Sequence, residues 1–190
     1  MQPRIPRQSA QEQDCRPPAV GVDDARLSDE LAAVVSGARR RAVRDGDRQI
    51  DTAHLLHSLL EHDRDVYAVF GDGPQIARLL GYLVQRTIGY GLRWQGTVED
   101  SGAVPVVRDG EGFSPLAASA MEAACRRAVR RGGPRAEGID LLAAIVADPQ
   151  ARAVEVLARA GIDANELGAR IDARSDGRRD EYASDGETAR

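Results

Sequence analysis

Two segments of this chain, residues 27–60 and 113–146, are ungapped copies of one pattern separated by 86 positions. They share an identical block of basic and small residues, Arg40–Arg44 in the first copy and Arg126–Arg130 in the second. In each copy the block is followed by a glycine and later by a Leu-Leu pair. Self-similarity at a fixed offset over this length indicates tandem duplication of one unit. The chain is therefore predicted to fold as two repeats.

Composition indicates that these repeats are helical. The sequence has 190 residues, of which 42% are hydrophobic and only 4% aromatic. A core made mainly from Ala, Leu, Val and Ile suits closely packed helices, and this length suits one domain with tails. The predicted fold class is all-α.

Capping residues mark the start and end of the first helix in each repeat. Ser28 is the predicted N-cap of the first helix and Gly46 its stop, and Ser114 and Gly132 take these roles in the second repeat. Pro115 occupies the first helical position, which proline favours. The other helices are predicted to begin near Thr52, Arg64, Pro74, Glu137, Pro149 and Asp163. This gives four helices in each repeat.

The ends of the chain and the segment between the repeats have a different composition. Residues 1–25 and 174–190 are polar, so they cannot bury enough apolar surface to offset their ordering entropy, and we predict disordered tails. Residues 90–112 contain several glycines and lose helical periodicity, as a connection does. The predicted domain covers residues 26–173, with repeat one at 27–89 and repeat two at 113–173.

Charge and residue types exclude several functions. The formal net charge is −4, so neither nucleic acid nor an anionic membrane is an expected partner. All 26 basic residues are arginine, so the chain has no lysine for a phosphate-binding loop or a Schiff base. Two cysteines, Cys15 and Cys125, make neither a disulfide framework nor a metal knuckle. The sequence shows no membrane span or signal peptide, so we expect a cytoplasmic protein.

Three sequence segments resemble the N-terminal domain of the Clp/Hsp100 unfoldases, especially of the ClpC type. They are Phe113–Pro115, Ile50–Leu56 and Val156–Asp163, and the duplicated order of such motifs extends over about residues 27–173. The resemblance implies a pseudo-twofold bundle of eight helices that binds protein substrates, adaptors or peptide-like ligands and performs no chemistry. The sequence contains no Walker A motif. It therefore resembles a stand-alone N-domain without the ATPase.

One motif departs from the ClpC pattern. The glutamate that helps ClpC-type domains to hold phosphoarginine is matched here by Ala53 and Ile139. Because an acidic partner is needed for charge-assisted hydrogen bonds to a guanidinium, phosphoarginine recognition by that route is not predicted. The neighbouring histidine of the motif is kept as His54 and becomes Asp140 in the second repeat.

No catalytic, cofactor-binding or metal-binding residues are predicted. His54 and His57 are spaced i, i+3 with His62 nearby, but a metal site needs a further ligand that the sequence does not supply. His54 is interpreted as a packing and hydrogen-bonding residue at a helix start. Cys125 is interpreted as a small buried side chain, and residues 99–102 as a loop turn. We expect no enzymatic activity.

Two groups of residues are candidates for partner binding. The first comprises Arg40, Arg41 and Arg44 with their equivalents Arg126, Arg127 and Arg130, which could dock an acidic adaptor, a phosphate or a nucleic-acid backbone. The alternative is a solvated face that complements the helix dipoles. The second group would form a groove for a peptide anchor, although Phe113 could equally pack in the core; it comprises Leu27, Trp94 and Phe113.

Together these features predict a non-enzymatic accessory protein of the Clp proteolytic system. It would bind the Clp unfoldase, its adaptors or its substrates, and deliver them to the unfoldase or compete with the unfoldase's own N-domain. The first alternative is a decoy that sequesters a peptide natural product aimed at the unfoldase. The second is a nucleic-acid-associated regulator that uses the arginine clusters.

Overall fold

A computed structural model of the chain describes residues 24–71, 73–87, 99 and 112–187, with the backbone alone at 24, 86–87 and 176–187. Within these residues the all-α fold is confirmed. The only strands described there are the two-residue β1 (Gln49–Ile50) and β2 (Gly112–Phe113), and a 3-10 turn spans Asp24–Arg26. The eight helices are α1 Asp29–Asp45, α2 Thr52–His62, α3 Arg64–Phe70, α4 Pro74–Thr87, α5 Pro115–Arg131, α6 Gly138–Val146, α7 Arg152–Ala160 and α8 Ala164–Glu187.

The predicted caps of α1 and α5 are confirmed. The side chain of Ser28 accepts a hydrogen bond from the Leu31 backbone N–H at 3.1 Å, and Ser114 accepts one from Ala117 at the same distance. Gly46 and Gly132 end the two helices with φ of 74° and 79°, in the left-handed region that side chains disfavour. The local sequence therefore fixes both ends of both helices.

Two equivalent backbone bridges join the repeats. Ile50 pairs with Phe113 in the parallel β1–β2 ladder, and Leu27 pairs with Ala136 in a second parallel bridge. These are the same two positions of the repeat with the copies exchanged, because Leu27 matches Phe113 and Ile50 matches Ala136 at the offset of 86. The arrangement is a pseudo-twofold axis between the repeats.

The repeats also exchange helices around one hydrophobic core. Helix α1 packs on α2 and α5 on α6, whereas α3 packs on α8 and α4 on α7. The third helix of each repeat therefore packs against the fourth helix of the other. The core is mainly aliphatic, as the composition predicts, and it includes the buried thiol of Cys125. Its fully buried side chains include Leu31, Leu55, Met121, Leu141 and Leu157.

Two helix boundaries differ from expectation. Helix α7 begins at Arg152 instead of Pro149, because its first N–H groups find acceptors on Glu99 and Thr52, which are far away in the sequence. Helix α8 continues to Glu187, beyond residue 173 where the folded region was expected to end. Extending an existing helix fixes one residue for each hydrogen bond gained, so it needs no apolar stripe.

None of the helices among the described residues has the length and hydrophobicity that crossing a membrane requires.

Candidate functional site

Glu99 is a polar side chain with hydrogen bonds to both repeats. It is only 4% exposed. Its carboxylate accepts hydrogen bonds from the backbone N–H of Thr52 at 2.9 Å, from the hydroxyl of Ser114 at 2.7 Å and from the backbone N–H of Arg152 at 2.7 Å. The Thr52 hydroxyl donates to it as well. A carboxylate is favoured there because α2 and α7 present backbone N–H groups, the N-cap of α5 presents a hydroxyl, and all three helices point their positive dipole ends at it.

A buried ion pair completes this polar centre, which we define as Asp51, Thr52, Glu99, Ser114 and Arg152. The guanidinium of Arg152 donates to Asp51 at 2.9 Å, and both residues are buried. The backbone N–H of Ala153 donates to the Thr52 hydroxyl at 3.1 Å. The polar centre thus satisfies buried groups and holds the start of α7 against the start of α2. Sequence reasoning missed it, because one glutamate in a polar connection carries no local sign of burial.

His54 has the predicted role at a helix start. Its ring nitrogen Nδ1 accepts a hydrogen bond from the Asp51 backbone N–H at 3.1 Å. The backbone N–H of His54 donates in turn to the Asp51 carboxylate at 2.9 Å, and the two hydrogen bonds form a capping box. The other ring nitrogen, Nε2, lies 3.5 Å from Asp45 and 3.3 Å from Asp47. The ring therefore lies among three carboxylates.

The three histidines of α2 have separate partners. His57 Nε2 lies 3.7 Å from Glu61, and His62 Nδ1 lies 3.0 Å from the backbone oxygen of Ser58.

Within the described residues, the side chains whose geometry could hold a cation are Asp47, Asp51 and His54, with ligand atoms within 4.8 Å of one another. The spacing of the histidines did not predict this set, because two of its ligands are carboxylates that precede α2 in the sequence.

In the second repeat the same position holds an arginine–carboxylate pair. Asp140, which matches His54, is 1% exposed and accepts from Arg131 at 2.7 and 3.3 Å. It also accepts from the Glu137 backbone N–H at 3.0 Å, which repeats the capping box. The hydrogen bond that Arg131 donates to Asp140 raises the pKa of Arg131, against the lowering effect of burial, and the charges of Asp140 and Glu137 add to the increase. Repeat two therefore carries its own internal cation.

The structure divides the predicted arginine clusters into inner and outer members. Arg41 pairs with Glu61, and Arg127 pairs with Asp172 at 2.8 Å. Burial alone would raise the pKa of Glu61, but the hydrogen bond and charge of Arg41 and the charges of His57 and His62 outweigh it and lower that pKa. The outer members are exposed and lie on α1 and α5; they are Arg40, Arg44, Arg126 and Arg130.

A valine stands between the outer arginines of each repeat. Val43 and Val129 match each other at the offset of 86 and are 75% and 72% exposed. An outer arginine lies three residues before each valine, and another lies one residue after it. Each of the two helix ends therefore presents two cations around an apolar side chain. We call the Arg40–Val43–Arg44 surface and its equivalent Arg126–Val129–Arg130 surface the basic faces.

The predicted peptide groove stays a prediction, although the structure places two of its three residues. Leu27 is 2% exposed and belongs to the core, because its backbone bridge to Ala136 holds it between the repeats, so it is not available to a partner. Phe113 is half-buried and packs against the core. Trp94 lies outside the described residues. Ala53 and Ile139, the positions of the missing glutamates, are both buried.

A different groove lies along the seam between α5 and α6. Its volume is about 290 Å³, and its walls are mainly small or aliphatic. Arg126 stands on one side, and Asp148 and Pro149 stand on the other, after the end of α6. The other residues that line it are Thr52, Leu116, Ser119, Ala120, Ala123, Ala144, Ile145, Ala147 and Ala151.

Comparisons with known proteins identify the fold. No protein-family model matches the sequence, and no curated protein matches it. The structure of the N-terminal domain of the chaperone ClpD from Arabidopsis thaliana matches with a TM-score of 0.60 and 20% identity, over 82% of this chain and 98% of that one. A chain from a malarial protein secretion system matches with a TM-score of 0.58 and 13% identity, over 79% and 95%. The chain has the fold of a Clp N-terminal domain.

Proposed function

We propose that this chain is a non-enzymatic protein-binding accessory of the Clp proteolytic system. It either delivers a bound partner to the unfoldase or competes for that partner with the unfoldase's own N-domain. The Clp fold supports the choice of system. The observation that carries the binding role is the pair of equivalent basic faces, one on each repeat.

The basic faces suit an acidic protein partner. Within the described part of the chain, Arg40, Arg44 and Arg130 form no ion pair, and Arg126 has only an exposed contact of 3.4 Å with Glu122. Exposed arginines keep their cationic charge at every relevant pH and bind carboxylates in a planar, bidentate way. The valine between them adds apolar area that a partner can cover. Each face therefore offers a small hydrophobic contact surrounded by fixed positive charge.

Affinity capture tests this function. The tagged chain is purified from its native cells with its bound proteins, which are identified by mass spectrometry together with any small peptide released on denaturation. We expect a Clp ATPase or its protease, captured less well at high salt because exposed charges are screened. The matched control reverses all four outer arginines to glutamate. Equal capture by the control, or capture without any Clp component, contradicts the accessory role.

The groove between α5 and α6 favours a second candidate, the decoy for a peptide natural product. Its volume of about 290 Å³ is at the lower end of the size of small-molecule sites. The same capture experiment separates the two roles. A decoy releases a small peptide on denaturation and retains no Clp component, whereas an accessory must contact the Clp machinery or its protein substrates.

A further inference from the structure

We propose that the groove between α5 and α6 docks a short acidic-aliphatic segment of a protein partner. One aliphatic side chain enters the groove, and the carboxylates that follow it bind Arg126 and Arg130. The inference rests on the proposed protein-binding function and names the surface and the chemistry of the partner. It also predicts that the two repeats are not equivalent in binding, although both carry a basic face.

The equivalent seam in repeat one, between α1 and α2, is filled. There Gly37 of α1 faces Ser58 and His62 of α2, and a methyl group on Gly37 would overlap the Ser58 hydroxyl. That hydroxyl donates to the Val34 backbone oxygen at 2.7 Å, which holds the two helices in close contact. The seam is therefore closed by the side chains of α2.

In repeat two the same positions carry different residues. Ala123 replaces the glycine, Ala144 replaces the serine, and Asp148 replaces the histidine. A further change, Glu61 to Ala147, removes the acid that pairs with Arg41 in repeat one. On α6 and just after it, the smaller side chains of Ala144, Ala147 and Asp148 leave the seam between α5 and α6 open. Ala123 lines the same groove from α5. The groove results from the divergence of the repeats.

The walls of the groove are mainly apolar. The side chains of Leu116 and Ile145 and the surrounding alanines offer apolar contact, which favours an aliphatic side chain because its burial removes apolar surface from water. A partner side chain is thus selected by its apolar character.

Positive charge lies beside the groove. Arg126 is 59% exposed, and its contact with Glu122 joins two exposed side chains, which water screens strongly. It can therefore turn to a partner's carboxylate. Arg130 lies one helical turn further along α5 and is also exposed. Two carboxylates spaced along a partner segment complement this row.

A peptide titration tests the inference directly. The probe is the peptide acetyl-Gly-Leu-Ala-Glu-Glu-amide, added to ¹⁵N-labelled full-length protein while amide shifts are followed by NMR. Two control peptides replace the leucine with serine or both glutamates with lysine. We expect saturable shifts confined to α5, α6 and the turn at Pro149, and binding at least tenfold weaker for each control peptide.

Matched protein variants localise the binding. Arg126→Glu should weaken the probe at least tenfold, whereas Arg40→Glu, at the equivalent exposed position of the closed seam, should change the affinity by less than twofold. Ala123→Leu should fill the groove and abolish binding. If Ala123→Leu fails to fold, Ala144→Ser combined with Asp148→His introduces the residues that repeat one already accommodates. Thermal unfolding of each variant reports whether the fold is retained.

The outcomes separate this inference from the proposed function. Shifts centred on α1, equal losses for Arg126→Glu and Arg40→Glu, or no saturable shift overturn the groove as the docking surface. If the groove variants still capture the Clp components from cells, the accessory function stands and only the groove is wrong. If the wild-type chain captures no Clp component while the probe binds as expected, the groove stands as a peptide site and the accessory function is wrong.

Discussion

The two repeats fill the same position with different chemistry. In repeat one the buried imidazole of His54 faces Asp45 at 3.5 Å, and in repeat two the buried carboxylate of Asp140 faces Arg131 at 2.7 Å. Position 45 matches 131 and position 54 matches 140 at the offset of 86. What the duplication preserved is therefore a polar contact between the end of one helix and the start of the next. The acid stands on the first helix in repeat one and on the second helix in repeat two.

The repeats also differ in how they supply an acid to the start of their third helix, which is α3 in repeat one and α7 in repeat two. Asp63 caps α3 from the adjacent position, with its carboxylate 3.0 Å from the Val66 N–H and close to Gly138 at the start of α6. At the start of α7 the adjacent residue is Ala151, which has no side-chain acceptor, and Glu99 of the connection takes over. One repeat thus caps locally, and the other depends on a residue more than fifty positions away.

The largest effect is expected when that distant cap is removed. Glu99→Ala leaves the buried donors of Thr52, Ser114 and Arg152 without their acceptor, so we expect a loss of about 4–5 kcal/mol in the free energy of unfolding. Chemical denaturation followed by circular dichroism measures it. Glu99→Gln, which keeps one acceptor oxygen, should lose less than Glu99→Ala. Wild-type stability in Glu99→Ala would show that the polar centre does not hold the repeats together.

A paired substitution tests whether the contacts at position 54 and position 140 are interchangeable. His54→Asp places a fourth carboxylate among Asp45, Asp47 and Asp51, and we expect it to destabilise the fold by about 3–4 kcal/mol. Adding Asp45→Arg recreates the pair of repeat two and should recover at least half of the loss. A double-mutant cycle measures the coupling. If the two substitutions only add, the two sites are not equivalent.

A smaller effect tests the closed seam of repeat one. Gly37→Ala introduces a methyl group that overlaps Ser58, so it should destabilise the fold by about 1–3 kcal/mol, although alanine normally favours a helix over glycine. Combining it with Ser58→Ala reproduces the residues of repeat two and should relieve the overlap. Gly168→Ala on α8, where a methyl group would meet only Val146 at an ordinary 3.8 Å, is the matched control and should not destabilise. Thermal unfolding of the three variants measures these effects. A neutral Gly37→Ala would show that α1 and α2 are not in the close contact described.

The smallest effect concerns Glu61, which has no acidic equivalent in repeat two. Its folded-state pKa is lowered below the ordinary 4.5, so its contribution is present above about pH 4.5 and is lost as pH falls through the lowered folded pKa. The side chain is partly exposed, and such pairs contribute about 0–1 kcal/mol. Glu61→Gln should therefore be slightly less stable than wild type at pH 7 and equal to it near pH 3. A stability difference that grows toward acid would contradict this sign.

The sequence predicted the helices well where the determining groups are local. Ser28, Gly46, Ser114 and Gly132 act within their own helix turns, and the boundaries of α1 and α5 follow from them. The start of α7 was placed too early because its acceptors come from other parts of the chain. The candidate partner-binding residues divided in the same way. Exposure at the helix ends could be anticipated, whereas the burial of Leu27 depends on a bridge to the other repeat.

By itself, the sequence determined the duplication, the helical class and the order of the elements, because periodicity and caps operate over a few residues. Only the tertiary structure decided which groups meet across the repeats. It brings Glu99 to the starts of α2 and α7, opposes His54 to the acids that precede α2, and opens one seam while closing the other. These contacts depend on side-chain volume and buried charge in three dimensions. A linear pattern of hydrophobicity does not encode them.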